Sequence, residues 1–281
     1  MLTHHSGSIK TLALQGAFEE NIDRILNEVG SAFAFFFVDP TGWTGFAMDN
    51  LRPILKRARG EVMINFMYDH INRFLNFQSA SNEESLDRCF GTNDWRAFRE
   101  TENREMDLVN LYVNQVRKTG EFAYATSTRI LKPLHDRSYF HLIYATRNPK
   151  GIEKFRDVEK QVVSEQETVR ERAKREHREE KSGQGELDFF SDTASPEFQE
   201  ERCQQLFKAN TKIVTQLAAG PVRYEILLPR VLELPLVWKT DLNKILVEGH
   251  RSGRFLIEGL GPRERTPKLG CTIRIGTGKS I

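Results

Sequence analysis

Residues 33–43 read Phe33-Ala34-Phe35-Phe36-Phe37-Val38-Asp39-Pro40-Thr41-Gly42-Trp43. The first six are apolar and mostly aromatic, which predicts a strand. Because both of its faces are apolar, the expected setting is a central parallel strand covered by helices. Downstream, Leu51, Ile54, Leu55 and Ala58 recur at helical spacing, Gly60 ends that helix, and Glu61–Phe66 (EVMINF) reads as the next strand. Strand, loop, helix and strand in that order make an α/β unit.

Outward from this unit, Val109, Tyr112, Val113 and Val116 share one face of a helix expected over 102–118, with Gly120 as its stop. Phe122–Leu131 and Tyr139–Thr146 are strand-like, and the short link between them favours an antiparallel hairpin. Glu165–Lys181 holds six acidic and six basic residues with almost nothing apolar, so a solvated helix tied by i,i+4 ion pairs is expected. A coiled coil would need an apolar seam that this segment lacks. Ser182–Asp192 loses periodicity and reads as a linker.

Beyond it, Ser195 can cap and Pro196 can open a helix that runs to about Ala218, before Gly220-Pro221. Val222–Glu233 and Thr240–Gly249 suggest two further helices, the second capped by Thr240. Arg254–Leu260 and Cys271–Ile275 are strand-like around a loop rich in Gly, Pro and Arg. Helices followed by a two-stranded hairpin with a basic tip is the order of a winged helix-turn-helix. The expected organisation is an α/β domain over 1–150, a charged helix and linker over 151–194, and a winged helix-turn-helix domain over 195–281.

Composition narrows the chemistry. Hydrophobic residues make up 39% of the 281, 19 of them Phe, enough for a core and against wholesale disorder. The net charge of +2 implies no general affinity for polyanions, so a nucleic-acid site must be local. Residues 222–281 carry 11 Lys and Arg against 6 Asp and Glu, whereas 1–221 carry 30 against 33, so the basic excess is confined to the C-terminal part. Lys239, Lys244, Arg251 and Arg254 lie in or beside the last predicted helix, and Arg263, Arg265 and Lys268 lie on the loop between the last strands. They are candidate phosphate contacts, since phosphate neutralisation needs local density and an Arg-bearing wing can reach a minor groove. A winged helix used for protein contact is the alternative.

Cys89, Cys203 and Cys271 lie too far apart for a disulfide framework or a zinc knuckle, so no metal is expected and a reducing cytoplasm is the expected compartment. No apolar run approaches a membrane span and the N-terminus lacks a signal-like segment, so no membrane partner is expected.

Asp39, Pro40, Gly42 and Trp43 are the candidate catalytic residues. Ligands of open α/β sheets bind outside the carboxyl ends of the strands, where these residues fall. Pro40 fixes the turn, Gly42 allows close approach, and Trp43 offers a flat surface. An ordinary strand-to-helix turn would use the same residue types. Asn65, His70 and Arg73 follow at the end of the next strand and fit packing or surface roles as well as a cleft. Trp95, after Phe90-Gly91, reads as a packing group.

The run FFFVDPTGWTGFAM, then EVMINFMYDHINRF, then RCFGTNDW resembles the bacterial three-Cys-motif partner protein family over about Thr11 to Lys150. The family looks like class I S-adenosylmethionine (SAM)-dependent methyltransferases and ends in a winged helix. The resemblance implies a partial Rossmann-like methyltransferase sheet, with Asp39-Pro40-Thr41-Gly42-Trp43 at the motif after the fourth strand, where amino-methyltransferases carry Asp-Pro-Pro-Tyr. There Asp39 would accept from a target amino group, Pro40 would hold the turn and Trp43 would stack on the base, although Thr41-Gly42 replaces the second proline.

Cofactor binding in that family uses a glycine-rich loop and an acid upstream of the matched region, and this chain has neither. LALQGAF (12–18) resembles the third strand and its loop. SAM is therefore expected in the family's full-length form and not in this chain, whose cofactor-binding residues are unassigned. In the strand order 3-2-1-4-5-7-6 the missing first strand lies beside FAFFFV, so that edge is expected to be covered by an upstream segment, by LALQGAF or by another chain, or to drive self-association. The implied function is methylation of nucleic acid, DNA above all. The alternative is a non-catalytic nucleic-acid-binding or adaptor partner of a three-Cys-motif protein.

Overall fold

The computed structural model describes residues 2–6, 9–40, 47–77, 79–135, 137–182, 195–261 and 263–276. The chain is mixed α/β, and its contacts group into two units, Met1–Phe122 and Ala123–Ile281.

In the first unit, β1 (Leu2–Ser6) and β2 (Ile9–Ala13) form an antiparallel hairpin, followed by α1 (Phe18–Val29). Then come β3 (Ala34–Val38), α2 (Met48–Leu55), β4 (Gly60–Phe66), α3 (Tyr68–Leu75), α4 (Ala80–Phe90) and α5 (Arg104–Gly120), with a single 3₁₀ turn at Asp94–Phe98. β3 and β4 pair in parallel, as the β3-α2-β4 order predicts, with Ala34 opposite Gly60 and Val38 opposite Ile64. The core gathers Leu51, Ile54 and Leu55 of α2, Val62 and Ile64 of β4, and Leu108, Val109, Tyr112 and Val116 of α5, all nearly without exposed surface. Phe66 packs its ring on Tyr112 at 4.5 Å between centroids. Trp95 is fully buried and donates to Asp87 at 2.8 Å, so it is a packing group.

Two expectations change here. β3 is not a strand covered on both faces: Ala34 and Val38 are buried, whereas Phe33, Phe35 and Phe37 on the other face are 58%, 51% and 56% exposed. Among the described residues no strand pairs with its second edge, and LALQGAF does not cover it: β2 pairs with β1 in a separate two-stranded sheet. Gly120 is also not the residue that turns the chain. Glu121 takes the left-handed conformation (φ 54°), while a Cβ on Gly120 would lie 2.3 Å from the Phe122 ring. Glycine is there because a ring and a helix meet at its Cα.

In the second unit, β5 (Tyr124–Leu131) and β6 (Ser138–Thr146) form the expected antiparallel hairpin, with Tyr124 opposite Thr146. α6 (Pro149–Ser182) follows, then α7 (Pro196–Ala218), β7 (Val222–Arg223), α8 (Tyr224–Val231), α9 (Lys239–Arg251), β8 (Phe255–Glu258) and β9 (Thr272–Ile275). The last three strands form one antiparallel sheet in the order β7-β9-β8. Ser195 caps α7 as predicted, its Oγ accepting from the Phe198 N–H at 3.3 Å. α9 is capped differently from the prediction: Asp241 accepts from the Trp238 N–H at 2.8 Å, and Thr240 lies inside the helix. A continuous core joins Ile152 of α6 to Ala209, Ile213 and Leu217 of α7, and these to Leu242, Leu246 and Phe255.

α6 departs from the solvated helix expected of its sequence. Glu167 and Arg170 are 4% and 3% exposed and pair at 2.9 Å; Glu167 also accepts from the Ser195 hydroxyl at 2.7 Å, and Arg170 donates to the Lys132 carbonyl at 3.1 Å. About four turns earlier, Arg156 is fully buried, pairs with Glu159, and donates to the Leu232 carbonyl at 2.8 Å. Both buried guanidinium groups, Arg156 and Arg170, find carboxylate and carbonyl oxygens as partners, which offsets the cost of burying their charge. The β5–β6 hairpin and α6 lie in the same unit as the C-terminal helices; of the linker read over Ser182–Asp192, Ser182 ends α6 and 183–192 lie outside the described residues.

Candidate functional sites

Asp39 and Asn65 close the carboxyl ends of two neighbouring parallel strands. The register that sets Val38 opposite Ile64 makes Asp39 and Asn65 the next pair, 26 residues apart in sequence, and the Asn65 amide donates to Asp39 Oδ1 at 2.6 Å. Asn65 is 9% exposed and its own Oδ1 has no donor among the described residues, whereas Asp39 is exposed. By strand alternation, both lie on the face that carries Phe35 and Phe37. A carboxylate held by one oxygen and open at the other is a hydrogen-bond acceptor directed outward. Pro40 adjoins it, half-buried; Gly42 and Trp43 lie outside the described residues. Arg73 is engaged with Asp69 at 2.9 Å, and His70 is half-buried on α3.

The resemblance implies SAM for the family. In a doubly wound sheet the cofactor loop follows a strand of the parallel set. Here the turn at Gly16-Ala17 follows β2, a strand of a separate antiparallel hairpin, and Asn21 closes that turn by donating to the Gln15 and Ala17 carbonyls at 3.2 and 2.8 Å.

The basic candidates of the second unit separate into two groups. Lys239 pairs with Glu153 of α6 at 2.6 Å, and Lys268 pairs with Glu264 in its own loop. Burial raises the Glu153 pKa, but hydrogen bonds from Lys150 and Lys239 outweigh it and hold the carboxylate below its usual range. These two lysines are committed within the chain. Lys244, Arg251, Arg254, Arg263 and Arg265 are exposed and have no ion-pair partner among the described residues, although Arg254 also lies 5.0 Å over the Phe255 ring.

α9 is tied to its neighbouring helices. Arg202 stacks on Trp238 at 3.6 Å and donates to the Leu236 carbonyl at 2.6 Å and to Asp241 at 2.7 Å, fixing the start of α9 to α7. Tyr224 donates to Asn243 at 2.7 Å, fixing α8 to the middle of α9. Sequence reasoning missed a groove between α7 and α9 lined by Leu206, Phe207, Asn210, Lys244, Ile245 and Arg254 among others. Its signal was Phe207, which falls off the apolar stripe of α7.

Among the described residues, no helix is long and apolar enough to cross a membrane, and no group of three metal-ligating side chains occurs. No family model, curated protein or solved structure matches the chain.

Proposed function

We propose that the protein binds nucleic acid, DNA above all, through residues 195–276 acting as a winged helix-turn-helix, in the manner of the three-Cys-motif partner proteins that its sequence resembles. The observation that carries this reading is that five of the candidate cations are exposed and without ion-pair partners among the described residues, two of them on α9 (Lys244, Arg251), one just beyond it (Arg254) and two on the β8–β9 loop (Arg263, Arg265). Cations held apart from carboxylates can displace counterions from phosphates, which is the main source of affinity for a polyanion. α9 would lie along a groove and the loop would act as the wing.

Fluorescence anisotropy of the full chain with a labelled duplex, at several salt concentrations, tests this. Arg263→Ala and Arg265→Ala should each weaken binding and reduce the log-log salt slope by about one unit. Lys239→Ala and Lys268→Ala should leave the slope unchanged, since their charges are already neutralised. Equal slopes for all four variants would refute the assignment.

A second reading, nucleic-acid amino-group recognition of the amino-methyltransferase type by the first unit, is favoured by Asp39 beside Asn65. The outer Asp39 oxygen would accept from a base amino group. In that reading Asp39→Asn weakens binding of oligonucleotides with an unpaired adenine or cytosine and spares those with an unpaired thymine.

A further inference from the structure

The groove between α7 and α9 encloses about 640 Å³, within the range of about 300–1,000 Å³ in which small ligands are held. Its apolar lining comes from Leu206 and Ile245, both half-buried, and from Gly249, which presents no side chain. Phe207 stands at the edge with 73% of its surface exposed. The buried stripe of α7 runs through Gln205, Ala209, Ile213 and Leu217, so Phe207 points away from the core and packing does not require an aromatic ring there.

The polar groups of the groove are of two kinds. Arg202 and Asp241 are spent on each other and on the start of α9. Lys244 and Arg254 have no ion-pair partner among the described residues, and the Asn210 side-chain oxygen is buried without a donor. Glu248, one turn beyond Lys244, is an acceptor at the same groove. An exposed ring, apolar neighbours and two cations without ion-pair partners in one groove match one ligand chemistry: a flat heterocycle on an anionic backbone. An apolar peptide would leave both cations without counter-charges.

We infer that this groove holds one unpaired nucleobase of a single-stranded segment, stacked on Phe207, with Lys244 and Arg254 on the flanking phosphates. Aromatic platforms combined with backbone cations are how single strands are held without strict sequence preference. A base inside a duplex is already stacked on its neighbours and cannot use Phe207, so the groove distinguishes single-stranded from double-stranded nucleic acid. This inference rests on the nucleic-acid reading above and adds a subsite to it.

The full chain is titrated by anisotropy with a labelled single-stranded DNA of mixed sequence and with the corresponding blunt duplex. Phe207→Ala should weaken single-strand binding by about 5- to 150-fold, the loss expected for one stacked base, and leave duplex binding unchanged; Phe207→Trp should restore it. Because Phe207 is exposed, both variants should fold as the parent does, as circular dichroism will show. Lys244→Ala should reduce the salt slope for the single strand by about 0.7 unit.

If the parent binds the single strand and Phe207→Ala binds it equally well, the groove serves another occupant, such as a protein segment, and the inference falls while the nucleic-acid reading stands. An equal loss for both strand forms also overturns it. If the parent binds neither, the nucleic-acid reading itself is wrong.

Discussion

Asn65 donates its amide to Asp39 at 2.6 Å across the ends of two parallel strands, and the donor is buried while the acceptor faces solvent. This asymmetry makes the pair's energetics testable. Asp39→Ala strands a buried N–H and should destabilise the protein by about 1–3 kcal/mol. Asn65→Leu removes both members' need for each other, so adding Asp39→Ala to it should cost little. Urea denaturation of the double-mutant cycle measures the difference; additive losses would mean that the two residues do not interact.

The exposed face of β3 should drive association. Phe33, Phe35 and Phe37 are each more than half exposed beside a strand edge that has no partner among the described residues, and such an edge is a template for another chain. Light scattering should find a mass that rises with concentration, and Phe35→Lys combined with Phe37→Lys should abolish the rise. A parent that stays monomeric at high concentration contradicts this.

Gly249→Ala should destabilise the second unit. Alanine would add about 1 kcal/mol of helix propensity, but its Cβ would lie 2.2 Å from the Phe255 ring, which is 1% exposed. Overpacking of this kind costs about 1–3 kcal/mol, so the clash outweighs the propensity gain. A lowered Tm by calorimetry is the expected result, and an unchanged or raised Tm would show that the ring has room to shift.

The carboxylates around Arg96 predict a pH dependence. A hydrogen bond from Arg96, joined by one from Trp95, holds Asp87 below its usual range against its desolvation, and Arg99 and then Arg96 do the same for Glu83. A depressed folded-state pKa contributes stability above the unfolded value of about 4, and that contribution is lost as pH falls through the folded value. Arg96→Gln should therefore be less stable than the parent at neutral pH, and the gap should close in acid. Urea midpoints at pH 7 and pH 3 measure it; a gap independent of pH would assign the loss to packing.

The sequence alone determined the elements whose signals are local. The capped start of α7 at Ser195 and Pro196, the β3-α2-β4 order and the β5–β6 hairpin follow from residues a few positions apart, because period, caps and short links act over a turn or a single link. It also confined the excess positive charge to residues 222–281. Tertiary structure decided everything that depends on register and packing between distant segments. Parallel register brought Asn65 to Asp39 across 26 residues, and packing of α6 against the C-terminal helices committed Lys239 to Glu153 across 86. The same packing buried Glu167 and Arg170, which a composition count reads as solvated. Side-chain type sets what a residue can bond to, but only the fold decides which partner reaches it and which face is left open, as it left Phe35 and Phe37 on β3 and Phe207 on α7.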